Sequence, residues 1–399
     1  MTVQVDDRLA RHNALVLAVC QALGGSNASI IISAGGLTGA YLLGAGNAFW
    51  ATLPVSLYIV GTAAATVPVQ LAVRRIGRRN AYLLGTLFGV CGGLTAMTGT
   101  LQGSFFLLCL GTFLSGVFAA MVQSYRFAAA DTASPAFRPK AISWVLAGGV
   151  AAGVLGPQAF VHFKDFFAPV LFAGAFLAQA LITGCSAIIL FALKVPAPAP
   201  AATHEAPARP LSVIARQPAF LGAVFCAVAS YALMSLVMTA SPLAMVACGF
   251  TSDQAALGIQ WHVIAMFGPS FFTGHMIQRF GAVRIVAIGL TLLAGCSAVA
   301  LAGITLAHFW IALILLGIGW NFGFLGASFL VTRTYEPSER NLAQGFNDFV
   351  VFGFVGLASL SSGAVFNLYG WDIVNWIVFP VIVLATFALR TVHRELAGA

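Results

Sequence analysis

Few side chains in this sequence can hold a charge or relay a proton, and several of those lie inside long apolar runs. Asp348, preceded by Asn347, lies about nine residues into the run 341–366, or about 14 Å from its start at about 1.5 Å of helix per residue. His262 follows Trp261 in the run 254–277. Asn27 lies in 13–36, Gln123 in 104–129, Tyr231 in 217–246, and Trp320 with Asn321 in 307–332. A polar group at membrane depth costs a few kcal/mol, so function is its first reading. Asp348 and His262 are candidate proton carriers, since a carboxyl at depth can relay protons and histidine changes charge near neutral pH. Asn27, Gln123, Tyr231, Trp261, His262, Trp320, Asn321 and Asn347 are candidate substrate contacts. They supply amides, an imidazole and aromatic faces, which suit a neutral or weakly charged planar molecule. Arg126 and Arg333 are expected to snorkel to the surface, so a phosphate ester is not the expected cargo.

These residues must be positioned by helices that cross a bilayer. The chain of 399 residues is 60% hydrophobic and 8% charged. Soluble domains carry about 25% charge, and disorder needs the opposite composition. A span needs about 20 apolar residues. That ruler gives twelve spans at 13–36, 50–72, 80–101, 104–129, 139–163, 166–193, 217–246, 254–277, 282–304, 307–332, 341–366 and 371–390. The first is read as an uncleaved span rather than a signal peptide. Lipid offers the backbone no partner, which favours helices, and the runs are too long and continuous for barrel strands. With the N-terminus inside, all but Lys164 of the 19 Lys and Arg residues fall on the cytoplasmic side. The expectation is a multi-pass protein of the inner membrane with both termini cytoplasmic.

The segment 194–216 is rich in Pro and Ala and reads as a spacer between residues 1–193 and 217–399. The two halves echo each other. Arg75-Ile76-Gly77 with Arg78 follows the second span, and Arg279-Phe280-Gly281 follows the eighth. Pro135 with Arg138 follows the fourth span, and Pro337 with Arg340 follows the tenth, at nearly the same offset. The expected architecture is all-α, with two pseudo-symmetric six-helix bundles. Repeats of this kind place substrate between the halves near mid-membrane.

The stretch Gln70 to Arg79 resembles the major facilitator superfamily signature between helices 2 and 3, with Gln70 and Arg74 in place of its opening Gly and its Asp. Residues 274–281 resemble its echo in the second half. Asp131 through Arg138 and Glu336 through Arg340 resemble the acidic-Pro-Arg elements after helices 4 and 10. The resemblance implies alternating access, with Arg75, Gly77, Arg78, Asp131, Arg138, Arg279, Gly281, Glu336 and Arg340 in gating loops. Gly149, Gly153 and Gly156-Pro157 resemble an exporter motif only in part, and close helix packing is their other reading. Gln260-Trp261-His262, Gly268-Pro269, Gly319-Trp320-Asn321 and Asn347-Asp348 are similar to a bacterial subgroup that includes riboflavin transporters.

The function expected is proton-coupled secondary transport of a small planar metabolite, with riboflavin as the single best substrate. A multidrug or metabolite efflux antiporter is the alternative within that class. A polytopic membrane enzyme is the alternative outside it, and the 11 acidic residues form no catalytic cluster that favours it. There is no GxxxxGK[ST] motif for ATP. The seven cysteines stand singly and give no metal or disulfide pattern. The net charge of +8 falls in clusters between spans, so nucleic acid is not an expected partner. No cofactor is expected, and a monomer in the lipid bilayer with a small-molecule substrate is the expected working form.

Overall fold

The computed structural model describes residues 7–131, 133–134, 137–194 and 209–398. The first half builds α1 (Asp7–Leu43), α2 (Leu53–Ile76), α3 (Arg78–Leu101), α4 (Phe105–Asp131), α5 (Arg138–Phe163) and α6 (Ala173–Leu190). A short α7 (Leu211–Ile214) leads into α8 (Pro218–Ala247), α9 (Ser252–Phe267), α10 (Ser270–Phe280) and α11 (Ala282–Ala302). The chain ends with α12 (Leu306–Thr332), α13 (Arg340–Trp376) and α14 (Val378–Gly398). No strand occurs among the described residues.

Ten of these helices are long and apolar enough to cross a membrane, or eleven if α9 and α10, bent by 42° at their junction, count as one span. The chain is thus a multi-pass membrane protein. The expected eighth span is therefore broken rather than continuous. Pro269 sits at the break, where its ring denies the helix an N–H donor. The eleventh expected span runs on through residue 376, interrupted at Gly370, whose φ of 80° and ψ of −179° are not helical.

Local sequence explains several boundaries. Gly77 and Gly281, matched in the two halves, have φ of 79° and 85° with extended ψ, a region essentially closed to residues with a Cβ. Each glycine ends one helix and begins the next, so the repeated loop is a repeated backbone turn. Thr251 and Gln254 form a capping box at the start of α9, with each side chain accepting from the other's backbone N–H.

The largest buried apolar cluster runs from Ile214 to Val392. Smaller clusters are built mainly on α1 to α6, with Ala256 of α9 joining one of them. Ile214 of the expected spacer is fully buried in the largest cluster, so the end of that segment belongs to the core it leads into. Asn13 pins the other end of the spacer by bonding both backbone groups of Lys194 at 3.0 Å. Residues 195–208 lie outside the described chain.

The halves meet where α2 packs on α13, α5 on α9, and α1 on α8 and α9. Gly149 and Gly153 face Phe267 and Val263 of α9, which supports the close-packing reading of those glycines. The bonds that cross between the halves, among the described residues, lie toward one end of the molecule. There Ser56 Oγ meets Ser359 Oγ at 3.1 Å, and the Gly363 N–H donates to Thr52 Oγ1 at 3.2 Å. Gln158 Nε2 donates to Gln260 Oε1 at 2.9 Å, and Lys164 Nζ lies 3.4 Å from Asp253 Oδ1 while also pairing with Asp165. We call this the far end. The opposite, linker end carries the start of α1, the end of α6 and the start of α8.

Candidate functional site

Gln123, Arg126 and Asp348 stay accessible although protein encloses Arg126 and Asp348, which marks a cleft between the halves, and one wall of it is strongly aromatic. Tyr231 of α8 is its centre. Its ring centroid is 5.2 Å from Trp320 and 5.0 Å from Phe324, both on α12, and 5.9 Å from Phe352 on α13. Trp320 and Phe324 stack at 5.4 Å with 19° between planes, and Phe267 closes on Trp320 at 6.3 Å. Residues 320 and 324 are four apart, so one helical face presents both rings. The indole Nε1 of Trp320 is buried without a partner. A buried donor of this kind is costly to leave unpaired, which marks a place where a ligand acceptor can bind.

The other half supplies polar groups. Tyr58 of α2 and Arg126 of α4 both lie within electrostatic reach of Tyr231. Gln123 stands one turn before Arg126, and both are accessible although the helix is deep in the bundle. Arg126 therefore does not snorkel away. It is enclosed by protein, faces the cleft, and feels the charge of Asp348 on α13. Sequence reasoning missed Arg126 because an arginine near a helix end ordinarily reaches for the membrane surface. Its spacing from Gln123 was the available signal.

Asp348 shares a face of α13 with Phe352, Ser359 and Gly363, by the period of a helix. Phe352 touches Tyr231, Ser359 meets Ser56 of α2 and Gly363 meets Thr52 just before α2, so this face looks into the space between the halves. Asn347 is buried; its Nδ2 donates to Asp348 Oδ1 at 3.0 Å, and its own Oδ1 is unpartnered. Asn27 on α1 is also buried, with both amide atoms unpartnered.

Three candidates stand apart. Asn321 is fully buried and staples the break between α9 and α10. It donates to Met266 O at 2.8 Å and to Ser270 Oγ at 2.7 Å, and accepts from Thr273 Oγ1 at 2.6 Å. A helix broken at proline frees backbone groups, and this amide takes one of them. His262 is buried within the second half, where its Nδ1 lies 2.9 Å from Leu313 O. Trp261 is 42% exposed, on a different flank of α9 from the buried Ile259 and Val263.

The loops divide similarly. Arg75 and Glu336 are exposed, Arg78 is half-buried, and the Arg279 guanidinium lies over Phe280 at 5.4 Å. The side chains of Asp131, Arg138 and Arg340 lie outside the described residues. The acid that the fold buries in the second loop is Glu339 rather than Glu336. Arg209, at the end of the spacer, clasps Glu339 with Nε and Nη2, and Glu339 Oε2 also accepts from the Glu336 N–H at 2.9 Å. Hydrogen bonds from Arg209 and the backbone hold the Glu339 carboxyl down at about 2. The sequence placed Arg209 in a spacer, so nothing suggested this partner.

A model of the Major Facilitator Superfamily matches residues 14–269 and again 223–398. The chain belongs to the major facilitator superfamily. This transporter is 48% identical over 386 residues to the riboflavin transporter RfnT of Brucella anthropi, with 96% of each chain covered. It is 29% identical over 359 residues to the uncharacterized MFS-type transporter YddS of Bacillus subtilis, covering 86% of this chain and 82% of that one. Among solved structures it resembles a point mutant of the nucleoside transporter NupG, with a TM-score of 0.74, 15% identity and coverage of 96% and 99% of the two chains. It also resembles a bacterial homolog of the human lysosomal transporter Spinster, solved inward-facing and unoccupied, with a TM-score of 0.69 and 14% identity over 97% and 98%. The protein is a transporter and not an enzyme.

Proposed function

We propose that this transporter carries riboflavin across the inner membrane by alternating access, with the cleft of this structure open to the cytoplasm. The observation that carries the reading is the wall of Tyr231, Trp320, Phe324 and Phe352 facing Arg126, Asp348 and Gln123. A flat ring system stacks on such a wall, while its carbonyl and hydroxyl groups meet the polar side. The 48% identity to a riboflavin transporter over nearly the whole chain supports the same cargo. Asn27, Asn347 and the Trp320 indole supply further hydrogen-bonding atoms.

The topology we propose has twelve spans. The segment from Trp371 to Arg390, read across the start of α14, is about the 20 residues that a span needs. Taken alone, α14 falls short because Arg390, His393, Arg394 and Glu395 fall in the stretch 390–398 that ends it. Residues 1–193 and 217–399 then form two bundles of six, and Lys and Arg place the linker end and both termini in the cytoplasm. The working unit is a monomer. Coupling to the proton gradient runs through Asp348, the carboxyl beside the aromatic wall. His262, held by a backbone carbonyl within one bundle, belongs to packing in this reading.

Uptake of labelled riboflavin into proteoliposomes tests the proposal. Saturable uptake that rises severalfold with an imposed proton gradient and collapses with a protonophore is the expected result. Absent riboflavin uptake would overturn the cargo, and uptake insensitive to the protonophore would overturn the coupling.

A further inference from the structure

The cleft holds an arginine from one half and an ionisable carboxyl from the other. Arg126 belongs to α4 and Asp348 to α13; both are enclosed by protein yet accessible, and each lies within the other's field. Among the described residues they form no contact ion pair. The Arg126 guanidinium instead lies 4.8 Å from the Phe127 ring centroid, and Asp348 Oδ1 accepts from Asn347. Each therefore keeps hydrogen-bonding capacity for a molecule between them. Tyr231 lies within reach of the arginine and touches Phe352, one turn from Asp348 on the same face of α13.

An arginine alone in a low-dielectric cleft would concentrate anions, because such walls focus its field. A carboxylate in the same cleft cancels that field at a distance and repels an anion that comes close. We infer that Asp348 is a charge filter, balancing Arg126 so that the cleft admits neutral ring compounds and rejects their phosphate esters. Arg126 remains available to donate to carbonyl or hydroxyl oxygens of the neutral cargo. The chemical consequence is directional in kind: a kinase that phosphorylates the cargo would turn a transportable molecule into a retained one. The inference rests on the flavin reading for the identity of the ring, but not for the sign of the filter.

Two measurements on the purified full-length protein test it. The first compares affinities for riboflavin and riboflavin 5′-phosphate. The wild type should favour riboflavin at least tenfold. Asp348→Asn should shrink that ratio at least fivefold, and Asp348→Asn combined with Arg126→Gln should restore much of it. A purely structural role for Asp348 would weaken both ligands together, and an unchanged ratio in Asp348→Asn would overturn the filter. The second needs no ligand. A Gln123→Cys probe, in a background whose native cysteines are replaced by serine, is labelled with anionic and cationic methanethiosulfonates. Asp348→Asn should shift the rate ratio severalfold toward the anionic reagent, and an unmoved ratio overturns the filter. If neither flavin binds but the labelling ratio shifts, the riboflavin reading fails and the filter stands.

Discussion

The two ends of the molecule are held by different physics. At the far end the halves touch directly, through Ser56 with Ser359, Thr52 with the Gly363 amide, Gln158 with Gln260, and Lys164 with Asp253. At the linker end, Asn13 bonds Lys194 within one half, and Arg209 with Glu339 ties the linker to the other. The far-end bonds are mostly single, neutral and spread over several helices. Each contributes about 1 kcal/mol, so they can break in sequence as the halves rock. The linker-end clasp is bidentate and charged, which suits a joint that keeps its form while the bundles move. An alternating-access machine needs both kinds of contact, one reversible and one persistent.

The sharpest way to break this contrast is to make a far-end contact permanent. Cysteines at Ser56 and Ser359, where the native oxygens lie 3.1 Å apart, should form a disulfide under mild oxidation. Transport should fall to a few per cent of the reduced protein and return with reductant. Normal transport by the cross-linked protein would mean that the far end never opens.

A smaller effect is expected within the cleft. Trp320→Ala removes a stacked ring and an unpaired donor, and should weaken riboflavin binding about tenfold, or about 1.4 kcal/mol. Equilibrium titration of flavin fluorescence measures this, and an unaltered affinity removes Trp320 from the site.

Smaller again is the effect of Lys164→Ala. Its pairing with Asp253 is partly exposed, with Asp253 43% accessible, and such pairs contribute under about 1 kcal/mol. Labelling of a far-end cysteine should rise a few-fold as the closed state loses weight.

The least change is expected at the linker clasp over the ordinary pH range. The Glu339 carboxyl sits at about 2, below its ordinary value, so its contribution is complete above that ordinary value and is lost as pH falls toward 2. The melting-temperature difference between wild type and Arg209→Ala should therefore be flat from pH 5 to 8. A difference that varies across that interval would place the Glu339 titration elsewhere.

Much of the helical framework was legible because its signals are local. Long apolar runs and the matched Gly77 and Gly281 loops depend on neighbours in sequence. Which polar residue does what was less legible. Asn321 and Trp320 are adjacent, and both read as substrate contacts, yet one staples a helix break and the other joins the aromatic wall. Neighbours on a helix point about 100° apart, and sequence alone does not say which direction faces the cleft. Trp261 and His262 separate for the same reason. Arg126 was assigned to the membrane surface because depth alone does not reveal the cleft beside it. Glu336 was preferred to Glu339 because the partner that decides between them, Arg209, is 130 residues away.

By its own composition and periodicity, the sequence determined that this chain must live in lipid, as helices. Burial of backbone groups in a medium without water leaves little other choice. Only the tertiary structure decided which end the halves close, which charges face one another across the cleft, and which buried amides serve packing. Those outcomes depend on distances between residues far apart in the chain, and polar interactions fall away too quickly with separation for any local pattern to encode them.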